Sequence, residues 1–206
     1  MQPSMAPRTE SVRSKRGSIV DAAIDRFGSD GYEHTKWSTI ADDVGLGQTG
    51  LYHYFESKAH CLLTIMRIEL TQSLERFRRV TSVADDPVEA LRLAVHSAYE
   101  GTPRDALQRR ILQNHVDLLS TPRPWEKEEQ ERQRSRALVR EIEEAWTDLI
   151  ARGVRSGEFT QRDPLMSARM VLALVVGVWR WYRPGGPHTL DQIGAVTAAA
   201  ALRILE

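Results

Sequence analysis

The sequence lacks the features of a secreted, membrane-bound or metal-binding protein. Cys61 is the sole cysteine, which excludes an intrachain disulfide and a cysteine-based zinc site. The N-terminus has no apolar core of the kind found in signal peptides. The longest apolar run covers residues 170–179 and is much shorter than the about 20 residues that span a bilayer. We therefore expect a soluble cytoplasmic protein that does not bind membranes.

Neither sign of charge is in excess. The 206 residues include 28 Lys and Arg and 28 Asp and Glu, so the formal net charge is zero. This balance excludes a polybasic tail protein, although a local basic patch can still exist within a neutral total. Hydrophobic residues make up 41% and charged residues 27%, which is typical of a soluble globular protein. The function must therefore be sought in local motifs.

The usual catalytic patterns are also missing. The six histidines are scattered, and none lies in an H-E-x-x-H motif. His96 and Glu100 share a helical face, but this spacing alone is more typical of a packed or solvated pair. Cys61 has no sequence context of a nucleophile, and a small buried residue is the simpler interpretation. We expect no enzymatic activity, no cofactor and no metal.

Apolar residues recur at three- and four-residue spacing along most of the chain, without the alternation typical of strands. Glycine and proline clusters divide the pattern into about nine segments, which predicts an all-α fold. We expect a disordered basic arm over residues 1–15 and a helix-turn-helix module over residues 16–60. Residues 61–206 are predicted to form a larger helical domain; ligand binding and dimerisation are the functions that a family resemblance described below implies for it.

The segment 45–50 reads G-L-G-Q-T-G and matches the dinucleotide-binding pattern G-x-G-x-x-G. That pattern requires a preceding β-strand, whereas residues 40–44 are short, doubly acidic and helical. The same glycines fit the turn between the two short helices of a helix-turn-helix. Ile40, Leu51 and Phe55 would then pack inward, and the polar side chains of the second helix would face the DNA major groove.

The predicted DNA contacts are hydrogen-bonding side chains, glycines that admit the DNA backbone, an aromatic ring that stacks on it and a lysine that binds phosphate. They are Thr35, Trp37, Ser38, Thr39, Gly47, Gln48, Thr49, Gly50, Tyr52, His53, Tyr54 and Lys58.

Residues 38–45 (STIADDVG) and 50–58 (GLYHYFESK) resemble the DNA-binding module of TetR-family regulators, and the likeness extends over about residues 16–60. It implies a homodimeric transcriptional regulator, a repressor, that binds a palindromic operator in double-stranded DNA. A hydrophobic small-molecule effector in the second domain would release it. The sequence departs from the family pattern at residues 47–49, which leaves the operator sequence open.

The segment 180–187 (RWYRPGGP) resembles a subset of TetR-family repressors of lipid and steroid catabolism, some of which respond to acyl-CoA thioesters. Its two arginines would then hold phosphates or an adenine ring. The alternative is a rigid loop whose arginines lie in water or in ion pairs. An acyl-CoA effector is therefore one hypothesis for the ligand class.

The second domain also contains candidates for the dimer interface and the effector pocket. The apolar helix over residues 170–182 and the small-residue helix over 195–205 are predicted to form the interface, with a buried helix in a monomer as the alternative. The pocket candidates are large apolar or aromatic residues and one histidine, each of which core packing explains equally well. They are Met66, Leu70, His115, Leu119, Trp125, Trp146, Met170 and Leu174.

Two other classes of function remain open at this level. A helical enzyme would use the pocket for chemistry and its N-terminal helices only for packing, and a protein-interaction adaptor would bind a protein partner; neither would bind DNA. Alanine at Tyr52 and His53 discriminates them from the regulator, since loss of folding would show that these side chains belong to the core.

The composition of the DNA-binding module leads to a first prediction. Residues 1–58 contain seven Lys and Arg and eight Asp and Glu, so binding must rely on charge placement and neutral hydrogen bonds. For each neutralised phosphate, the logarithm of the binding constant falls by about 0.9 when the salt concentration rises tenfold. We therefore expect the operator affinity to fall by less than about five orders of magnitude per tenfold rise in salt. Fluorescence anisotropy titrations across a salt series measure this slope, and a steeper one contradicts the prediction.

Overall fold

The computed structural model describes residues 7–160 and 162–206 of the chain, and all regular elements of this part are helices. The first four helices are α1 (Pro7–Ser29), α2 (Trp37–Asp43), α3 (Gln48–Tyr52) and α4 (Lys58–Thr81). The next are α5 (Pro87–Ser97), α6 (Pro103–Asn114), a 3-10 helix (Val116–Leu119) and α7 (Glu126–Ser156). The last two are α8 (Pro164–Trp181) and α9 (Leu190–Leu205). The predicted all-α fold with about nine helices is confirmed.

Polar residues start most of the long helices, and many are where the sequence places them. Ser57 accepts a hydrogen bond from the backbone N–H of His60 at the start of α4, and Asp86 accepts from two backbone N–H groups of α5. Thr102 and Asp105 form a capping box at α6, and Thr189 and Gln192 form another at α9. These caps satisfy N–H groups that have no partner within the helix.

Three predicted boundaries need correction. Helix α1 begins at Pro7, so residues 7–15 of the predicted disordered arm are helical, while residues 1–6 lie outside the described residues. The sequence favours Ser38 as the N-cap of the second helix, but α2 begins at Trp37 after Lys36, which places Ser38 inside the first turn. The apolar spacing predicts one amphipathic segment over residues 105–119, but this segment is interrupted at His115, where α6 ends and the 3-10 helix follows.

The buried apolar side chains form two cores. The first joins α1, α2 and α3 to the N-terminal half of α4 and includes Phe27, Phe55 and Met66. The second lies among α5, α7, α8 and α9 and includes Phe77 and Trp146. Helix α4 contributes to both cores, so it is the element that physically links the two parts of the molecule.

The C-terminus of α7 contains a close contact that leads to a second prediction. Gly157 adopts a left-handed φ of 83°, which lets the chain fold back and place the Phe159 ring directly against Gly153. A Cβ at Gly153 would overlap this ring, so Gly153→Ala should lower the free energy of unfolding by about 1–3 kcal/mol. Urea unfolding followed by circular dichroism measures the change.

Gly17 provides the matched control for that substitution. It lies in α1, it is exposed, and a Cβ added there would have no other heavy atom within 4 Å. Gly17→Ala should therefore raise the free energy of unfolding by about 0.5–1 kcal/mol, because alanine loses less backbone entropy in a helix. Equal effects of the two substitutions would contradict the proposed overlap at Gly153.

Candidate DNA-binding surface and ligand cavity

A tight turn orients the short helix α3 against α2. Gly45 has a φ of 63°, a conformation that favours glycine, and its N–H donates to the carbonyl of Asp42 at 3.1 Å. The N–H of Leu46 donates to the carbonyl of Ala41 at 2.9 Å. Leu51 and Phe55 are fully buried on the inner side of α3 and the turn after it. The outer side of α3 is therefore held at a fixed angle and faces away from the core.

The outer side of α3 carries the polar residues that the sequence predicts to read DNA. Gln48, Thr49 and His53 are exposed, and the side chain of Tyr52 is 51% exposed. The sequence predicts a recognition helix over about residues 49–55, whereas α3 ends at Tyr52; the backbone N–H of Phe55 still donates to Leu51 at 2.9 Å. The structure thus brings donors and acceptors together on one exposed face.

The fold itself does not require the two other glycines of this segment. A Cβ at Gly47 would meet open space, and one at Gly50 would make ordinary contact with Leu46 at 3.6 Å. Gly47 is also exposed and has an extended backbone that other residues adopt. Their lack of side chains leaves the backbone of α3 open to close approach from outside.

Three of the predicted DNA contacts are instead part of the internal structure. Thr35 is buried and its hydroxyl donates to the carbonyl of Gly31 at 2.8 Å. Trp37 is buried in the first core, with its ring edge-on to Phe55, because its bulky ring takes an inward position in α2. These side chains are not available to stack on or donate to a DNA backbone.

Lys58 is the third correction. Its ammonium group donates to the carbonyls of Tyr32 and Thr35 at 2.7 and 3.0 Å and lies 4.2 Å from the centroid of the Tyr32 ring. It therefore ties the start of α4 to the α1–α2 loop, instead of acting as the free phosphate clamp that the sequence suggests. Of the remaining predicted contacts, Ser38, Thr39 and Tyr54 are half-buried.

Hydrogen bonds connect this module to the start of α7. The Glu56 carboxylate accepts from the backbone N–H groups of Lys127 and Glu128 at 3.0 and 3.2 Å. The Ser57 hydroxyl donates to the Glu128 carboxylate at 3.0 Å, and the Arg123 side chain binds the same carboxylate. The last residues before α4 are thus bonded directly to the helix that packs along α4.

A largely apolar cavity of about 250 Å³ lies between α4, α6, α7 and α8. Two predicted pocket residues, Leu70 and Trp146, line it. The cavity is also lined by Glu69, Ser73, Arg76, Ala98, Arg109, Leu112, Gln113, Val116, Val139, Ile142, Glu143, Leu172, Val175, Val176 and Trp179.

The charged residues in this wall were missed by the sequence analysis. Glu69 is 2% exposed, and its Oε1 atom accepts from Arg76 Nη2 at 2.7 Å and from Arg109 Nε at 3.1 Å. The Arg109 guanidinium lies 5.2 Å from the centroid of the Trp179 ring, and burial lowers its pKa. One signal was present: Glu69 follows Ile65 and Met66 at helical spacing, which places an acid on an otherwise apolar stripe.

The other predicted pocket residues lie elsewhere. Met66 and Leu119 belong to the first core, and half-buried His115 packs edge-on against Tyr32. Trp125 precedes α7 and is 57% exposed. Met170 and Leu174 are on the outer side of α8, because the cavity faces the opposite side of that helix at Leu172, Val175 and Val176.

The outer side of α8 forms an exposed apolar surface with α9. Leu174 and Trp181 of α8 line a groove with Val196 of α9, which is 71% exposed, and Met170 is exposed one turn before Leu174. The small residues Ala173, Gly177 and Ala200 line a groove between the two helices. Helix α8 is apolar and long enough to cross a membrane by length and composition, but its inner side packs on α6, α7 and α9. The exposed side has the character of a helix–helix interface.

Comparison with known proteins identifies the family. Residues 19–65 match the family described as bacterial regulatory proteins, tetR family, and residues 84–205 match the tetracyclin repressor-like C-terminal domain. The chain is 29% identical over 195 residues to the HTH-type transcriptional repressor KstR2 of Mycobacterium tuberculosis, covering 93% of this chain and 92% of that protein.

Solved structures show the same architecture over nearly the whole chain. The TetR family transcriptional regulator PfmR from Thermus thermophilus has a TM-score of 0.77 and 26% identity, covering 91% of this chain and 98% of PfmR. The ketosteroid transcriptional regulator KstR2 of Mycobacterium tuberculosis has a TM-score of 0.75 and 26% identity, covering 91% and 93% of the two chains. The chain belongs to the TetR family of DNA-binding transcriptional regulators.

Proposed function

We propose that this regulator is a homodimeric repressor, located in the cytoplasm, that binds a palindromic operator through α3 and is released by an acyl-CoA thioester in the cavity beside α4. The observation that carries the DNA-binding part is the exposed outer side of α3, with Gln48, Thr49, Tyr52 and His53. These side chains offer donors and acceptors of the kind that bind base edges and phosphates. Gly47 and Gly50 would let the DNA backbone come close.

A second copy of the chain is proposed to cover the apolar side of α8 and α9. TetR-family regulators act as dimers, and two recognition helices on one DNA face require a two-fold axis. The groove lined by Ala173, Gly177 and Ala200 lets two helices approach closely, while Val196 and Trp181 supply apolar area. This assignment explains why the regulator exposes so many large apolar side chains on one face.

Two features support an acyl-CoA thioester as the effector. The cavity of about 250 Å³ is smaller than the usual range of roughly 300–1,000 Å³ for sites that enclose a whole ligand, so it would take only the acyl part. Arg110 follows the cavity-lining Arg109 in α6, is half-buried, and is close enough to Arg183 that burial and this like charge lower its pKa. Among the described residues, no ion pair involves Arg110, Arg180 or Arg183, and Arg183 donates to the backbone carbonyl of Tyr182 at 2.9 Å; these arginines are the proposed contacts for the phosphates.

Helix α4 is proposed to carry the signal between the two sites. Leu70 lines the cavity, while Lys58 at the other end of the helix is bonded to the loop before α2. An acyl group that binds more tightly when α4 is displaced would favour a dimer whose recognition helices no longer match the operator spacing.

Alanine substitutions test the DNA-binding surface. Tyr52→Ala and His53→Ala should each lower operator affinity by about tenfold or more, because each removes direct contacts to DNA. The free energy of unfolding should not change, since both side chains are exposed. The operator is first selected from a random duplex library with the wild-type protein, and binding is then measured by fluorescence anisotropy.

Val83→Ala is the matched control, because Val83 is 79% exposed between α4 and α5 and faces no proposed ligand. It should leave both operator affinity and stability unchanged. If Tyr52→Ala or His53→Ala unfolds the protein, these side chains belong to the core and the DNA-binding assignment of α3 is wrong.

The effector class is tested by repeating the library selection with saturated acyl-CoA esters of increasing chain length. If an ester binds only the DNA-free form, a concentration of 100 times its Kd should lower the apparent operator affinity by about a hundredfold. Free coenzyme A is the control, since it carries the phosphates but no acyl group for the cavity. If the protein selects a palindromic motif and no ester prevents its binding, the chain is still a DNA-binding regulator but its effector is not an acyl-CoA thioester.

A further inference from the structure

The wall of the cavity contains a charged cluster whose hydrogen bonds are incomplete. Glu69 is almost fully buried and lies between the guanidinium groups of Arg76 and Arg109, both of which bind its Oε1 atom. Its second oxygen, Oε2, is buried and has no hydrogen-bond partner in the described part of the chain. A buried carboxylate oxygen without a donor is rare in folded proteins, because its lost hydration is not replaced.

A donor in the same cluster is also left without an acceptor. The Nε atom of Arg76 is buried and, among the described residues, has no partner either. Glu69 and Arg76 both line the cavity and are bonded to each other through Oε1 and Nη2 at 2.7 Å. The wall of the cavity therefore includes a bonded cluster with one unpaired acceptor and one unpaired donor, while most of the remaining wall is apolar.

We propose that the effector carries a hydroxyl group on an apolar body, and that Glu69 and Arg76 bind this hydroxyl group inside the cavity. The inference rests on the proposed function, because it assigns the chemistry of the ligand that this cavity would hold. A hydroxyl group donates one hydrogen bond and accepts others, so its hydrogen is directed at Glu69 Oε2 and its oxygen at Arg76 Nε. Both atoms are buried, so the hydroxyl group would have to displace the side chains slightly to form these two bonds.

Other polar groups fit the cluster less well. A ketone oxygen accepts from Arg76 but leaves Glu69 Oε2 without a donor. A carboxylate accepts from Arg76 but cannot donate to Glu69 Oε2, and an ammonium group donates to Glu69 but cannot accept from Arg76 Nε. A hydrocarbon satisfies neither atom. The cluster therefore selects an alcohol over an oxidised or charged analogue of the same size.

The apolar body is defined by the rest of the wall. Trp146 and Trp179 contribute aromatic rings, and Leu70, Ile142 and Val175 contribute aliphatic side chains. The volume of about 250 Å³ corresponds to roughly eight water molecules at about 30 Å³ each, which suits one medium ring or a folded acyl chain.

A matched series of ring compounds tests the proposal on the full-length protein without DNA. Cyclodecanol, cyclodecanone and cyclodecane have the same carbon ring and differ in the group presented to the cluster. Isothermal titration calorimetry should show cyclodecanol binding about ten- to a hundredfold more tightly than cyclodecanone, because the ketone leaves a charged acceptor unpaired. Equal or weaker binding of the alcohol, or no binding of it, overturns the proposal.

Glu69→Gln provides the second measurement. The substitution keeps the side-chain size but adds an amide NH2 group, which donates to a ketone oxygen. The preference for the alcohol over the ketone should then fall to about unity or reverse, and an unchanged preference overturns the proposal. Glu69→Gln removes the carboxylate from two buried guanidinium groups and could prevent folding. In that case, the comparison of cyclodecanol with cyclodecanone on the wild-type protein decides the proposal.

Val176→Phe locates the bound ring. Val176 lines the cavity from α8 and has no polar side-chain atom, so a larger apolar side chain there should weaken the binding of the alcohol and of the ketone by a similar factor and leave their ratio unchanged. Failure of this inference is distinguishable from failure of the proposed function. If the alcohol and the ketone bind equally but a thioester releases the operator, only the hydroxyl site is rejected. If the alcohol binds tenfold more tightly but no thioester releases the operator, only the thioester effector is rejected.

Discussion

The continuity of helix α4 is the constraint on which the rest of the structure depends. Its 24 residues start at the Ser57 cap, fill the first core with Leu62, Leu63 and Met66, and reach the second core at Phe77. Glu69 and Leu70 lie between the two cores, in the wall of the cavity. Because α4 packs into both cores and the cavity wall, it joins the proposed ligand site to the proposed DNA-binding module.

The cations of the N-terminal module serve its own structure. Lys15 donates to the carbonyl of Val44 at 2.6 Å, and Arg26 binds Asp43 through two hydrogen bonds of 2.6 and 2.8 Å, which lower the pKa of that carboxyl group. Lys58 is bonded to two backbone carbonyls. These bonds hold α1, α2 and α4 together around α3. They also explain how a module without an excess of positive charge can hold the exposed polar side chains of α3 in a fixed arrangement.

Local sequence signals predicted the helices and the turn before α3, because caps, breakers and apolar spacing act over a few residues. They could not decide which side of α8 faces the cavity, since Met170, Leu174 and Val175 are all apolar and only contacts with distant helices separate them. Trp37 was misplaced for the same reason, because its burial depends on Phe55. Glu69 was overlooked because a single acid in an apolar stripe gains meaning only when Arg76 and Arg109 are seen beside it.

The hydrogen bonds between Glu56 and α7 affect how well the first turn of α7 is ordered. Trp125 precedes α7 without supplying a side-chain cap, so the carboxylate of Glu56, from the other module, satisfies the first N–H groups of that helix. Any swing of the DNA-binding module away from α7 uncovers these groups and favours fraying of the first turn, which contains Glu128 and Glu129. The affinity for DNA and the folding of a helix end in the ligand-binding domain are therefore thermodynamically linked.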